Sequence, residues 1–232
     1  STVNPVDLSF TDITVPGVPS ASWGGMTMGG TNLYILTYSI PARLMSINPV
    51  TGAVIASVNT SLKYGHALTF DGIFIYGVGN DAFSPTLVGT IVRADPDVLS
   101  AGSFTTVVTP SAAAIADDIT VLAGRLWLPV EVPPTGEILG ASLSNLASQL
   151  VIITGMPTGC FGVASDGTNL WASWDATLDG VLGGVTAYNP FNGALINTHT
   201  FPPGYTSTNE IAFTPDGNTA FVTFWLAPAR VA

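Results

Sequence analysis

Charged residues are scarce in this chain of 232 residues. Lysine and arginine together number 5, aspartate and glutamate number 15, and the formal net charge is −10. Recognition of nucleic-acid phosphates needs clustered basic side chains, so we expect no nucleic-acid partner. The same shortage of positive charge disfavours binding to anionic membrane surfaces. A surface of Ser, Thr, Asn and Gly with few charges favours an extracellular, cell-surface or virion location.

Cysteine and long apolar runs are also lacking. Cys160 is the single cysteine, so no internal disulfide can form, and we expect Cys160 to be a small buried residue. No run of 18 apolar residues occurs, which predicts that the chain has no membrane-inserted helix. The nucleophile elbow, the phosphate loop, the His-Glu-x-x-His motif and the EF-hand pattern are all absent. With only two histidines, a His/Cys zinc site has few ligands to draw on.

Residues typical of strands and turns make up most of the sequence. Gly numbers 25 and Pro 17, hydrophobic residues reach 47%, and the helix-favouring Glu, Lys, Gln and Arg are few. No segment has the pattern of a helix of useful length. The composition therefore predicts an all-β fold.

One phrase occurs twice: "SINPVTGAVIASV" begins at Ser46 and "AYNPFNGALINTH" at Ala187. Asp95-Pro96 follows Asn48-Pro49 by 47 residues, and Asn189-Pro190 lies 94 residues further on, twice that interval. The expected middle copy is Ser144-Asn145, which lacks the proline. A constant period in this range is typical of repeat architectures.

A second phrase keeps the same period. "GGTNLYILT" from Gly29 matches "DGTNLWASW" from Asp166, with shorter relatives "DGIFIYGVG", "AGRLWLPVE" and "DGNTAFVTF". Each is a glycine-containing turn before an aromatic or β-branched run, which predicts a tight turn into a strand. Each Asn-Pro-x-x-Gly pentad predicts a β-turn between two further strands. Four strands per repeat indicate the blades of a β-propeller.

The sequence predicts one domain, a five-bladed β-propeller with four-stranded antiparallel blades. The blades are expected at about 20–64, 65–110, 111–158, 159–205, and 206–232 joined with 1–19. The C-terminal "PARVA" followed by the N-terminal "STVNPV" is similar to "PARLMSINPV" from Pro41. We therefore expect the two termini to share one blade, to close the ring and to complete the propeller.

The phrases "SDGTNLW" and "FTPDGNTAFV" and the Asn-Pro-x-x-Gly turns resemble the NHL, YVTN and gluconolactonase-like propeller repeats. The resemblance covers nearly the whole chain. It implies the propeller fold but says little about activity, because these motifs are turn chemistry.

Propeller ligands usually lie where the innermost strands begin, around the central channel. In this chain those starts carry a set of candidate ligand-binding residues: Trp23, His66, Asp117, Asp118, Phe161, Asn209 and Glu210. Carboxylates with an amide and an imidazole suit a hard cation such as Ca²⁺, and a carboxylate of raised pKa could act as a general base. Alternatively, the two aspartates cap strand ends and His66 is structural.

Gluconolactonase-like enzymes hold a metal with Glu, Asn and Asp at such positions. That resemblance implies Asp117, Asn209 and Glu210 as the ligands of Ca²⁺ or another divalent cation. Those enzymes have six blades, however, and Trp23 and Gly24 stand where a further acid is expected.

Three predicted loops between second and third strands are mildly apolar: 79–89, 130–140 and 175–184. Exposed apolar loop tips favour contact with another protein, although such loops can also bury themselves. The predicted contact residues are Phe83, Leu87, Ile138, Leu178 and Leu182. By contrast, Tyr34, Trp127 and Trp171 are expected to pack between blades.

The function favoured by these observations is a non-enzymatic structural or binding propeller that contacts protein neighbours, or other copies of itself, through its loops. No cofactor is expected under that interpretation. A metal-dependent, lactonase-like hydrolase and a carbohydrate-binding propeller are the alternatives. The lack of a Trp-plus-polar set recurring in all five repeats disfavours a lectin with five equivalent glycan sites.

Overall fold

The computed structural model of the chain describes residues 2–3, 10–11, 23–80, 89–99, 105–108, 117–132, 135–156, 159–174, 183–202 and 208–224. Throughout these ranges the regular structure is β-strand, arranged in antiparallel sheets, and they contain no helix. The predicted all-β class is therefore confirmed. Within the same ranges, no helix is long and apolar enough to cross a membrane.

In the described ranges, twenty strands form four four-stranded sheets and two two-stranded sheets. Within each sheet, strands that are neighbours in the chain are hydrogen-bonded neighbours. The first pair is β1 (Thr2–Val3) with β2 (Phe10–Thr11). The first four-stranded sheet has β3 (Trp23–Gly29), β4 (Asn32–Thr37), β5 (Arg43–Ile47) and β6 (Val54–Asn59). The second has β7 (Tyr64–Phe70), β8 (Ile75–Asn80), β9 (Gly89–Ala94) and β10 (Thr105–Val108).

The remaining sheets follow in chain order. The third sheet has β11 (Thr120–Leu122), β12 (Arg125–Val132), β13 (Thr135–Ser142) and β14 (Asn145–Met156). The fourth has β15 (Cys160–Ser165), β16 (Leu170–Trp174), β17 (Gly184–Tyr188) and β18 (Leu195–Thr200). The last pair is β19 (Thr208–Phe213) with β20 (Ala220–Phe224). The predicted joining of the termini involves residues 225–232 and 4–9, which lie outside the described residues.

The turn between the first and second strands of a sheet is organised by an aspartate. The Oδ1 atom of Asp71 accepts the amides of Ile73 and Phe74, and its Oδ2 atom accepts the Tyr76 hydroxyl at 2.9 Å. Asp166 repeats the pattern, with its Oδ2 atom accepting Trp171 Nε1–H at 2.8 Å. The repeated phrase thus encodes a turn whose carboxylate also orients the aromatic side chain five residues later.

These contacts shift the pKa values of Tyr76 and Asp166. Burial, reinforced by the hydrogen bond and the charge of Asp71, raises the pKa of Tyr76 to about 12. For Asp166, burial favours the neutral acid, but the donated hydrogen bonds outweigh it and lower the pKa below its usual value. Asp216, at the same place in the last pair, accepts the hydroxyl of Thr214 and the amide groups of Asn218. Those bonds lower its pKa to about 2.

The Asn-Pro-x-x-Gly turns repeat closely as well. The Gly52 amide donates to the Asn48 carbonyl at 2.9 Å, and Gly193 donates to Asn189 at 2.9 Å. Both glycines have positive φ, +72° and +70°, which glycine adopts without steric cost. The bond spans four residues, so each pentad is an α-turn, one residue wider than the predicted β-turn.

Large aromatic side chains join each sheet to the next one along the chain. Tyr34 of β4 packs in a cluster with Leu68 and Ile75 of the second sheet. Trp127, which is fully buried, packs with Val163 and Leu170 of the fourth sheet. Trp171 contacts Phe213 of β19 at a ring separation of 5.6 Å. The predicted packing role of these aromatics is confirmed, and it places the sheets side by side in sequence order.

The first strands of successive sheets are also in contact with one another. β3 lies against β7, β7 against β11, β11 against β15, and β15 against β19. The starts of these strands are therefore brought to one region of the molecule. That arrangement sets the geometry of the candidate site.

Candidate functional site

Four of these first strands, all except β11, share an irregularity at their starts. The pairing register shifts between Trp23 and Met26, between Gly65 and Ala67, between Cys160 and Gly162, and between Thr208 and Ile211. Each shift is a β-bulge or a similar irregularity, which interrupts the ladder and re-aims side chains, and such features are frequent beside functional sites. The positions inside the shifts are Gly24-Gly25, His66, Phe161 and Asn209-Glu210.

Glycines let the neighbouring first strands approach very closely here. A Cβ atom at Gly24 would lie 2.1 Å from the Gly65 carbonyl oxygen. A Cβ atom at Gly162 would lie 2.6 Å from the Asn209 carbonyl oxygen. No side chain fits at these distances, so the irregular strand starts are held backbone against backbone.

His66 is paired with Asp117. Its Nδ1 atom lies 3.1 Å from Asp117 Oδ1, and the two side chains are 17% and 29% exposed. The imidazole also meets the Tyr38 ring edge to face, with centroids 5.4 Å apart. The pair links β7 to the segment that precedes β11 and stays accessible to solvent.

Asp118 links the third sheet to the fourth. Its Oδ1 atom accepts the Ile119 amide at 2.7 Å, and its Oδ2 atom accepts the Val163 amide of β15 at 2.8 Å. The residue as a whole is half-buried, but its carboxyl group is enclosed by protein atoms.

Enclosure changes the acidity of Asp118. Withdrawal from water raises its pKa to about 7, the two accepted amides oppose that rise, and the nearby charges of Glu210 and Asp117 add to it. Asp118 is therefore a carboxyl group that gains and loses its proton near neutral pH.

A hydroxyl relay connects β15, β16 and β19. Ser173, which is completely buried, accepts the Gly162 amide at 3.1 Å and donates to the Asn209 carbonyl at 2.8 Å. The hydroxyl of Thr208 donates to the carbonyl of Trp174. These bonds fix the backbone of residues 208–210, while Glu210 itself is exposed.

The structure thus brings together five of the predicted residues, which we call the inner-strand cluster: His66, Asp117, Asp118, Asn209 and Glu210. Trp23 begins β3, and its side chain lies outside the described part of the chain. Among the described residues, no three or more His, Cys, Asp or Glu side chains are grouped so as to hold a metal ion. The proposed ligand set of Asp117, Asn209 and Glu210 stays a prediction. Aligning the starts of the first strands predicted the members of the inner-strand cluster. No sequence pattern pointed to Ser173, whose hydroxyl holds the backbone beside the cluster.

Four of the five predicted loop contacts, Phe83, Leu87, Leu178 and Leu182, lie outside the described residues. The fifth, Ile138, was wrong as a loop residue, because it lies in β13 and is fully buried. The hairpin of β12 and β13 is longer than predicted, and only residues 133–134 separate its strands. The backbone pairing of β12 with β13 continues up to Val132 and Thr135. Ile138 therefore lies within a strand, and its side chain packs in the core between the third and fourth sheets.

An exposed edge strand is a surface that the sequence analysis missed. Among the described strands, β18 is the last strand of the fourth sheet and pairs only with β17. All six of its residues are exposed, including Leu195 at 64% and Ile196 at 51%. The strand, Leu-Ile-Asn-Thr-His-Thr, has no acidic residue, lysine, arginine or proline, the residues that natural edge strands use to prevent pairing.

No protein-family model and no curated protein matches the chain. Among solved structures, the chain is similar to a chain of hydrazine synthase from Kuenenia stuttgartiensis, with a TM-score of 0.65 and 16% sequence identity. The match covers 95% of this chain and 62% of that one, so this chain spans less than two thirds of the length of its match. At this identity the similarity shows the fold alone. The NHL, YVTN or gluconolactonase-like class stays a prediction.

Proposed function

We propose that the chain is a five-bladed propeller that serves as a non-enzymatic assembly module, and that β18 is its contact with a second copy of the chain. The four consecutive four-stranded sheets, the contacts between their first strands and the similarity to a solved protein that contains a β-propeller support the fold. The observation that carries the function is the exposed, unpaired and uncharged edge of β18.

The open edge of β18 offers hydrogen-bonding groups to another strand. The Thr198 amide donates to the Oδ1 atom of Asn197 at 2.9 Å, so this amide faces the open edge instead of β17. In an antiparallel ladder the outward amides recur at every second residue, here on Thr198 and Thr200, whereas Ile196 lies at a register shift of the pairing with β17. Two copies would pair with Thr198 opposite Thr198 and Ile196 opposite Thr200, and a carbonyl of the second copy would replace Asn197 Oδ1 at the Thr198 amide.

Charge also favours this strand as the meeting surface of two copies. With a net charge of −10, two chains repel each other over most surfaces. β18 has no acidic residue, so this strand adds no like-charge repulsion of its own when two copies meet there. Because the same strand of each copy forms the contact, the assembly is a two-fold symmetric dimer to which no third chain can add at this edge. We include in this proposal the predicted location, which is extracellular, at the cell surface or in a virion.

The proposal predicts that a cysteine placed on the two-fold axis cross-links two chains. Opposed residues of a hydrogen-bonded pair have Cα atoms about 5.5 Å apart, within the range that a disulfide spans. The only native cysteine, Cys160, is buried. We therefore expect Thr198→Cys to give a covalent dimer on mild oxidation, measured by non-reducing electrophoresis, and light scattering to detect a dimer of the unsubstituted chain.

The matched control is Ser57→Cys, which places an exposed cysteine on β6, the last strand of the first sheet. Ser57→Cys should cross-link far more slowly than Thr198→Cys. Ile196→Lys, which puts a charge on the open edge, should abolish the dimer and leave folding intact. A monomer at high protein concentration, with equal cross-linking of both cysteine variants, contradicts the proposal.

The second candidate function is the metal-dependent, lactonase-like hydrolase. It is favoured by the inner-strand cluster, where the His66–Asp117 pair lies beside a carboxyl group of near-neutral pKa. Under this alternative, about one divalent ion per chain would be found by mass spectrometry, and EDTA would lower Tm. Under the assembly proposal we expect no change in Tm with EDTA. Loss of bound metal in Glu210→Gln, a residue whose side chain is exposed, would favour the hydrolase.

A further inference from the structure

A cavity of about 530 Å³ lies between the first and second sheets, beside the turns that join their strands. Gly30 and Gly72 leave open space there, because a Cβ atom at either would touch nothing within 4 Å. Polar groups line one side of the cavity, including Asn32, Asp95 and Asp97. Its size is that of a small-molecule site.

The equivalent place between the third and fourth sheets is filled by an arginine. Asn32 comes two residues before Tyr34, just as Arg125 comes two residues before Trp127 in the repeated phrase. Arg125 Nη1 donates to the Pro190 carbonyl at 3.0 Å. Its guanidinium carbon also lies 5.9 Å from the centre of the Trp127 ring. The chain thus shows how a guanidinium group fits this position of the fold.

The first and second sheets keep the proline and an aromatic side chain of that arrangement but have Asn32 in place of the arginine. The Arg93 guanidinium lies 4.7 Å from the ring centre of Phe74, a residue that also lines the cavity. Pro96 corresponds to Pro190, and its carbonyl accepts the Tyr34 hydroxyl at 3.3 Å, which leaves one lone pair for a second donor. Asn32 is too short to fill the space that Arg125 occupies in the other interface.

Two acidic residues of the second sheet stand where the fourth sheet has uncharged residues, so this interface gains negative charge where it lacks the arginine. Asp95 stands where the fourth sheet has Asn189, and Asp97 stands where it has Phe191. Asp97 is exposed, and its carboxylate has no hydrogen-bond partner among the described residues. The cavity therefore combines two carboxylates and a carbonyl with the absence of the basic side chain that fills the equivalent site.

We infer that this cavity binds a guanidinium group, with the Pro96 carbonyl and the carboxylates of Asp95 and Asp97 as acceptors. A guanidinium presents several N–H donors in one plane, which suits a carbonyl and two carboxylates better than a point charge does. The group can come from a small free cation or from an arginine side chain of a partner protein.

Titration of the ¹⁵N-labelled chain with methylguanidinium chloride at low ionic strength tests this inference. Methylurea is the probe of similar shape without the charge. We expect saturable amide shifts at Gly30, Gly72 and Asp97 with methylguanidinium and none with methylurea. A blocked Gly-Arg-Gly peptide is the third probe. Affinity at least ten-fold higher for the peptide indicates an arginine of a partner protein, and equal affinity indicates a small free cation.

The decisive variant is Asp95→Asn combined with Asp97→Asn. The turn should survive, because Asn48 and Asn189 hold the equivalent turns in two other sheets through the same side-chain oxygen. We expect the affinity for methylguanidinium to fall at least ten-fold. Glu137→Gln combined with Asp216→Asn removes the same charge elsewhere and should leave the affinity unchanged.

A second variant, Asn32→Arg, places the chain's own guanidinium in the cavity and should abolish the shifts from methylguanidinium and from the peptide. The inference is overturned if methylurea binds as well as methylguanidinium, or if no probe gives saturable shifts. It is also overturned if the Asp95/Asp97 double variant binds methylguanidinium with unchanged affinity.

Discussion

Raising the pH from about 4 to about 7 should destabilise the fold by about 3 kcal/mol through Asp118 alone. Its pKa lies near 3.8 in the unfolded chain and about 7 in the folded one, chiefly because the carboxyl group is enclosed by protein. Between these values the unfolded chain releases the proton and the folded chain keeps it. The stabilisation is therefore fully present below pH 4 and is lost as the pH rises through about 7.

Urea unfolding at several pH values between 4 and 8 measures this effect. Asp118→Asn removes the ionisation, so the free energy of unfolding of this variant should depend much less on pH in that window. Asp216→Asn is the matched control, because the pKa of Asp216 is lowered to about 2. Asp216 stabilises the fold above pH 4 and loses that contribution as the pH falls towards 2, so its removal should leave the profile above pH 4 as it is. Equal pH profiles for the unsubstituted chain and Asp118→Asn would show that the carboxyl is not enclosed.

The repeated phrases explain why so much of the architecture could be predicted. A turn is local chemistry: Asp166 binds amides two and three residues away and an indole five residues away. The same spacing at Asp71 yields the same bonds. Aligning these phrases therefore aligned the strands, and the aligned strand starts placed His66, Asp117 and Asn209 in one region.

Features that depend on contacts between sheets could not be predicted in this way. Asn32 and Arg125 occupy the same position in the repeat, yet one borders a cavity and the other fills it. The exposure of β18 depends on what covers the last strand of a sheet, which no local pattern encodes. Ile138 was misplaced for a similar reason, because 130–140 was predicted as a loop while the strand pairing there continues into the core.

Gly25→Ala should have the second large effect, a loss of about 3 kcal/mol or more in the free energy of unfolding. A Cβ atom there would lie 2.3 Å from the Ala67 Cα atom and 2.4 Å from the Leu68 nitrogen. Both are backbone atoms of β7, so the clash cannot be relieved by rotating a side chain. Alanine normally stabilises such a position slightly by restricting the unfolded chain, so a loss of this size must come from the folded state.

The urea midpoint measures this loss, and Met26→Ala is the control on the same strand. Met26 is 63% exposed and adjoins Gly25, so its truncation should change the free energy of unfolding by no more than about 0.5 kcal/mol. The clash lies beside the bulge that carries His66, so a folded Gly25→Ala chain should also show displaced His66 ring signals by NMR. If Gly25→Ala is as stable as Met26→Ala, β3 and β7 do not meet backbone against backbone. The inner-strand cluster would then lack the rigid support that sets the position of His66 against Asp117.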